Sequence, residues 1–213
     1  MKNKNKVVFI AVVLIVVFLY IFYNIKKIDA ENLAENVVIS EKTWTYENIW
    51  TEYGRRGFMI ENKNKVPVDL IMTVSVYGSN GGYSHADKIA INAVAPQSKF
   101  FFEREFGTQI ERVELTEYEC KKSGYQALKG ADIKVSTDED GTKLLISAKN
   151  NSSKDTSGCI CTAVFYDEND KIMDAETIEM HNGKIPSGET VTEEIHRPLD
   201  CDSIKIFTNA YTN

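Results

Sequence analysis

The chain has 213 residues, 43% of them hydrophobic and 26% charged, with a formal net charge of -6. Most of such a chain is expected to fold, as one large domain or two small ones. The acidic excess argues against a nucleic-acid partner, because phosphate binding needs clustered lysine and arginine.

Residues 1–28 differ from the rest. Three lysines in MKNKNK precede the uncharged run VVFIAVVLIVVFLYIFYNI at 7–25. At about 1.5 Å per residue this run reaches roughly 28 Å, close to the thickness of a hydrocarbon core. Tyr20, Phe22 and Tyr23 sit at its far end, where amphipathic rings favour the interface. The pattern predicts a retained single-pass anchor in the cell membrane, with the amino terminus cytoplasmic and the body extracytoplasmic. A cleaved signal peptide fits less well, since its apolar core is shorter and Ile28-Asp29-Ala30 is a poor cleavage site. No cysteine follows the run, which excludes a lipoprotein. Residues 29–43 read as a polar stalk.

From residue 44 the apolar residues alternate, and Gly, Asn, Asp, Ser and Pro interrupt them at short intervals, the rhythm of antiparallel strands. GFMIENKNKVPVDLIMTVSVYG at 57–78 repeats in outline as KLLISAKNNSSKDTSGCICTAVFYD at 143–167. Each has an apolar strand, a polar break around Asn62 or Asn150, and a long alternating strand ending at Tyr77 or Tyr166. A proline turn follows, VAPQS at 94–98 or KIPSGE at 184–189, then KFFFERE or TVTEEIH, then a closing strand, RVELTEYE or SIKIFTNAY. This order predicts two sibling strand modules, 44–122 and 130–213, joined by a connector at 123–129.

Side chains of a strand alternate with period two. Leu70, Met72, Val74 and Val76 therefore share the core face of the first long strand, and Cys159, Cys161, Ala163 and Phe165 take the same places in the second. Cys201 stands where Ile110 stands, so all three thiols are expected near the second core. An extracytoplasmic body permits oxidation. The candidate disulfide joins Cys201 to Cys159 or Cys161 and would stabilise by about 2–4 kcal/mol. Cys120 has no evident partner within the first module.

The KNN break, AVFYD at 163–167, the Pro-Ser-Gly turn and the closing strand of the second module together resemble the FxLYD domain family. Tyr166 and Asp167 match its motif, whereas Ala163 and Phe165 stand in place of its Phe and Leu, and in VSVYG at 74–78 only Tyr77 matches. The resemblance implies immunoglobulin-like β-sandwiches, a bacterial extracytoplasmic setting and no assigned activity. The expected fold class is then all-β, two tandem immunoglobulin-like antiparallel β-sandwich modules behind one N-terminal transmembrane helix.

Motifs for chemistry are scarce. His85, His181 and His196 have no zinc-ligand spacing, and neither G-x-S-x-G nor S-x-x-K occurs. DEDGT at 138–142 lacks the ligand pattern of a calcium loop and reads as a hairpin turn, as does DENDK at 167–171. Phe101, between Phe100 and Phe102, points away from the core, and so does Tyr166, with its hydroxyl in water. YGSNGGYS at 77–84 opens no helix and is no phosphate cradle; Tyr77, Asn80 and Tyr83 make it a candidate binding loop. No enzyme, metal or cofactor is expected. The expected role is binding, spacing or scaffolding in the bacterial cell envelope, with the membrane and another envelope protein or cell-wall material as partners and no nucleic acid. Alternatives are an accessory subunit of a membrane complex and, further off, an enzyme with a dispersed site.

Overall fold

The structure, a computed structural model, describes residues 15–20, 32–44, 46–48, 51–78, 80–108 and 110–213. Of the expected anchor only 15–20 is described, as helix, so that expectation lies outside the described residues; among them no helix is long and apolar enough to cross a membrane.

The described body is all-β and sandwich-like, built from antiparallel sheets. In the first half β3 (Thr51–Asn62) is central, with β1 (Val37–Thr43) and β2 (Tyr46–Asn48) successive along one edge and β6 (Ser98–Thr108) along the other. Its companion sheet has β4 (Val68–Gly78) between β5 (Tyr83–Val94) and β7 (Ile110–Lys122). In the second half β10 (Lys143–Asn150) lies between β9 (Ile133–Asp140) and β13 (Thr190–His196). There β11 (Gly158–Tyr166) lies between β12 (Ile172–Glu179) and β14 (Ser203–Thr212), and β8 (Gln126–Leu128) adds to the outer edge of β14. Strand for strand, β1-β3-β6 over β5-β4-β7 repeats as β9-β10-β13 over β12-β11-β14.

Three apolar layers hold these sheets. The alternating inner residues fill two of them. Phe58, Ile60, Leu70, Met72, Val74, Val76 and Phe100 pack inside the first pair, and Leu144, Ile146, Cys159, Cys161 and Phe165 inside the second. The third lies between the pairs, where Phe101 and Trp44 meet Val164, Tyr166 and Ala175, flanked by Met59, Ile172 and Phe207. β11 is consequently buried on both faces, Val164 as fully as Phe165. Polar groups inside this layer are matched. Trp44 Nε1 donates to Asp174 Oδ1 at 3.3 Å, and Glu103 and Thr177 exchange two hydrogen bonds at 3.0 and 3.3 Å. At its edge Asn209 donates to the Asn92 carbonyl at 2.8 Å. Gly57 makes room for the rings, since a Cβ there would fall 2.2 Å from Phe101 Cζ and 2.9 Å from Trp44 Cζ3.

Each polar break is closed by one buried asparagine. Asn62 Nδ2 donates to the carbonyls of Val66, Val94 and Ala95, and its Oδ1 accepts the Asn64 N–H. Asn150 Nδ2 donates to the carbonyls of Lys154 and Ile185, and its Oδ1 accepts the Ser152 N–H. In both halves the side chain ties its own loop to the segment just before the proline turn.

Several expectations are corrected. The described part of the expected stalk at 29–43, residues 32–43, belongs to the body: Leu33 and Ala34 pack on the first core, and β1 pairs with β3 from Val37↔Asn62 to Thr43↔Arg56. The interleaved charges of VVISEKT hid a strand whose Val37 faces inward. The connector is also part of a sheet, because β8 pairs with β14 and Leu128 is buried in the second core. Tyr166 is more enclosed than an outward strand residue is expected to be: it is 9% exposed, Lys205 Nζ lies 4.5 Å from the ring centroid, and burial pushes its phenol above the usual range.

Candidate functional site

The end of the first sheet pair carrying the β4–β5 hairpin gathers the candidate residues. Gly78 N–H donates to the Gly82 carbonyl at 2.9 Å and Gly81 N–H to the Gly78 carbonyl at 2.8 Å, with Gly81 at φ +72° as a tight reversal requires. Asn80 Oδ1 accepts the Gly82 N–H at 2.9 Å, so this side chain shapes the turn. The hairpin brings Tyr77 and Tyr83 together edge to face, with ring centroids 6.0 Å apart and 78° between planes. Tyr83 remains 62% exposed.

β7 adds a residue that the sequence pattern left unmarked. Tyr77 pairs with Arg112 across β4 and β7, and the Arg112 guanidinium lies 4.2 Å from the Tyr77 centroid. Such stacking contributes about 0.5–1 kcal/mol at an exposed site. Arg112 Nη1 is also 2.9 Å from Glu114 Oε1, which fixes its plane. Only the strand register, shifted by bulges at Thr73/Val74 and Tyr77/Gly78, selects Arg112 as the partner.

Beyond Arg112 opens a cleft of about 460 Å³ between β7 and the β1–β3 edge, lined by Glu41, Trp44, Arg56, Glu111, Arg112, Val113 and Glu114. Arg56 Nη2 donates to the Glu111 carbonyl at 3.0 Å. Burial lowers the Arg56 pKa, and Glu41 beside it opposes that shift. The Glu41 carboxylate accepts the Leu115 N–H. The charged walls are thus held in place.

The cysteines lie elsewhere. All four are buried as free thiols. The expected bridge from Cys201 is excluded by register: Cys161 pairs with Thr208 and Tyr166 with Ser203, and Cys201 lies beyond Ser203 beside Tyr166. Five strand residues, roughly 16 Å, separate Tyr166 from Cys161, whereas a disulfide needs Cα atoms within about 7 Å. Cys201 Sγ donates instead to the Ser203 carbonyl at 3.2 Å. The hydrogen bond to Cys161 and burial push the Cys159 thiol up, and burial with Asp69 pushes Cys120 up to about 11. Among the described residues no group of three or more His, Cys, Asp or Glu is placed to hold a metal ion.

No model of a known protein family matches the chain, and no curated protein matches it. The FxLYD resemblance therefore rests on its own residues. Similar solved structures include red sea bream transglutaminase, at 10% identity and TM-score 0.29, covering 82% of this chain and 29% of that one. Native alpha-2-macroglobulin from Escherichia coli, spanning domains NIE-MG1, is 9% identical with TM-score 0.24, covering 81% and 95%. The tandem CBM22 domains of Paenibacillus barcinonensis Xyn10C are 9% identical with TM-score 0.18, covering 83% and 84%. At TM-scores below 0.5 none of these carries an argument about this chain.

Proposed function

We propose that the protein is a single-pass, membrane-anchored component of the bacterial cell envelope. Its extracytoplasmic body of two immunoglobulin-like sandwich modules binds or spaces another envelope component and performs no catalysis. The observation that carries this reading is the placement of the hairpin relative to the start of the described body. Leu33 and Asn36 are held at the Asn62 end of the first sheet pair, where Asn64 Nδ2 donates to the Leu33 carbonyl and Lys63 N–H to the Asn36 carbonyl. Tyr77 lies near the opposite end of β4, and the 11 residues of that strand extend roughly 33 Å. A tether through the apolar run at 7–25 presents Tyr77, Tyr83 and Arg112 away from the bilayer. The apolar layer between the pairs supports the same reading, because a spacer has to keep its length under thermal motion.

The test is localisation of the full chain with a carboxy-terminal epitope. Recovery in the membrane fraction after alkaline washing, with the epitope removed by protease on intact wall-stripped cells, is the expected result. Recovery in the soluble fraction, or an epitope shielded until the membrane is opened, would defeat the reading.

A further inference from the structure

We infer that the cleft beside Arg112 and the adjoining Tyr77–Tyr83 pair form one site for an uncharged, hydroxyl-rich chain, that is, a glycan. The inference rests on the reading of the body as an envelope binding unit and names its ligand class. Three observations lead to it.

The first is the aromatic geometry. Arg112 covers one face of Tyr77, but Tyr83 meets Tyr77 in a T-shaped contact and is 62% exposed. An exposed ring on a rigid strand offers a flat apolar surface with a polar tip, which suits the C–H face of a sugar ring whose hydroxyls stay wet.

The second is charge. The cleft is lined by two arginines, Arg56 and Arg112, and three glutamates, Glu41, Glu111 and Glu114. Arg112 is already paired with Glu114, Arg56 bonded to the Glu111 carbonyl and Glu41 to the Leu115 N–H. A strongly charged ligand would meet repulsion from one set and would disrupt these pairs. A neutral polyol can accept from the guanidiniums and donate to the carboxylates at once, and hydrogen bonds to charged groups are the stronger kind. Because these side chains are held beforehand, little ordering cost remains for binding.

The third is extent. The cleft opens on the β7 side and Tyr83 stands on β5, two strand spacings away, or about 10 Å. Arg112 and Tyr77 bridge that interval across β7 and β4. The ligand is therefore an extended chain lying across the strands, with one end in the cleft and another ring over Tyr83.

Titration of the full chain in detergent micelles with the N-acetylglucosamine tetramer and with cellotetraose, followed by saturation-transfer NMR and calorimetry, tests this. Binding of at least one neutral probe is expected, with Tyr83→Ala and Arg112→Ala each weakening it roughly tenfold, the effect of losing about 1.4 kcal/mol. Tyr83→Ala should keep the wild-type melting temperature, since that ring is exposed, so its loss of binding cannot reflect unfolding. Absence of binding to both probes, equal binding by wild type and both variants, or preference for a polyanion or a basic peptide would overturn the inference. A membrane-located protein that ignores every neutral probe refutes the glycan site and leaves the envelope role standing. A cytosolic protein that binds them does the reverse.

Discussion

Asn62 and Asn150 show how one residue type, placed twice, closes two loops. Their partners lie more than thirty residues away at Val94 and Ile185, as well as in the local turn. The polar breaks were legible in the sequence; that each holds a buried asparagine serving the later proline turn was not, because the acceptors are distant carbonyls. Truncating either residue removes these bonds, at about 0.5–1.5 kcal/mol each, while the Ala95, Lys154 and Ile185 carbonyls keep Ser98 Oγ, Ser152 Oγ and the Thr156 N–H as donors. Asn62→Ala and Asn150→Ala should each lower the unfolding free energy from urea titration by the sum of the bonds lost. Asn150→Asp, which keeps the acceptor but turns a carboxylate oxygen toward the Lys154 and Ile185 carbonyls, should cost at least as much as Asn150→Ala. The thiols make a second test at this scale. Cys120 is raised in the fold from its usual 9 to about 11. Below pH 9 the thiol is neutral in both states; as pH climbs from about 9 towards 11 only the unfolded chain ionises, so stability should fall over that window. Cys120→Ala should flatten this part of the stability profile. Peptide mapping under non-reducing conditions should find no link between Cys201 and Cys159 or Cys161, and finding one would contradict the β11–β14 register.

At the scale of elements, the long strands were read correctly on their inner faces and misread on their outer ones. Phe101 and Val164 both point away from the core of their own sheet pair, yet each is fully buried because the two pairs press these faces together. Gly57 is the element-level condition for that contact, since any side chain there collides with Phe101 and Trp44. Gly57→Ala should destabilise by about 1–3 kcal/mol through overpacking, measured as a shift in denaturation midpoint. Phe101→Ala leaves a cavity and should cost about 3–5 kcal/mol. A wild-type midpoint for either variant would mean that the pairs do not press together in solution. β1 and β8 were missed for a different reason. One is laced with charges, and the other is three residues long, too short for any period to show.

For the whole molecule, the third apolar layer joins the two pairs into one body. A fully buried large apolar side chain is worth about 1.5–3 kcal/mol, so Phe101, Val164 and Ala175, with Tyr166 nearly as deep, couple the halves strongly. Calorimetry of the full chain should show one transition with calorimetric and van't Hoff enthalpies in agreement. Two resolved transitions would mean that the halves unfold separately and that the layer is weak. Phe101→Ala should be the variant that begins to split them.

What the residues determined by themselves was local. Alternating apolar positions and Gly, Asn, Asp and Pro turns led to an all-strand body, to one strand order used twice and to the inward set Leu70 to Val76 and Cys159 to Phe165, because period two and turn chemistry are properties of neighbours along the chain. Tertiary structure decided which outward faces water reaches, that Cys201 lies beyond reach of Cys161, and that Arg112 caps Tyr77. Those depend on how sheets stack and where bulges shift the register, and residues far apart in sequence settle both.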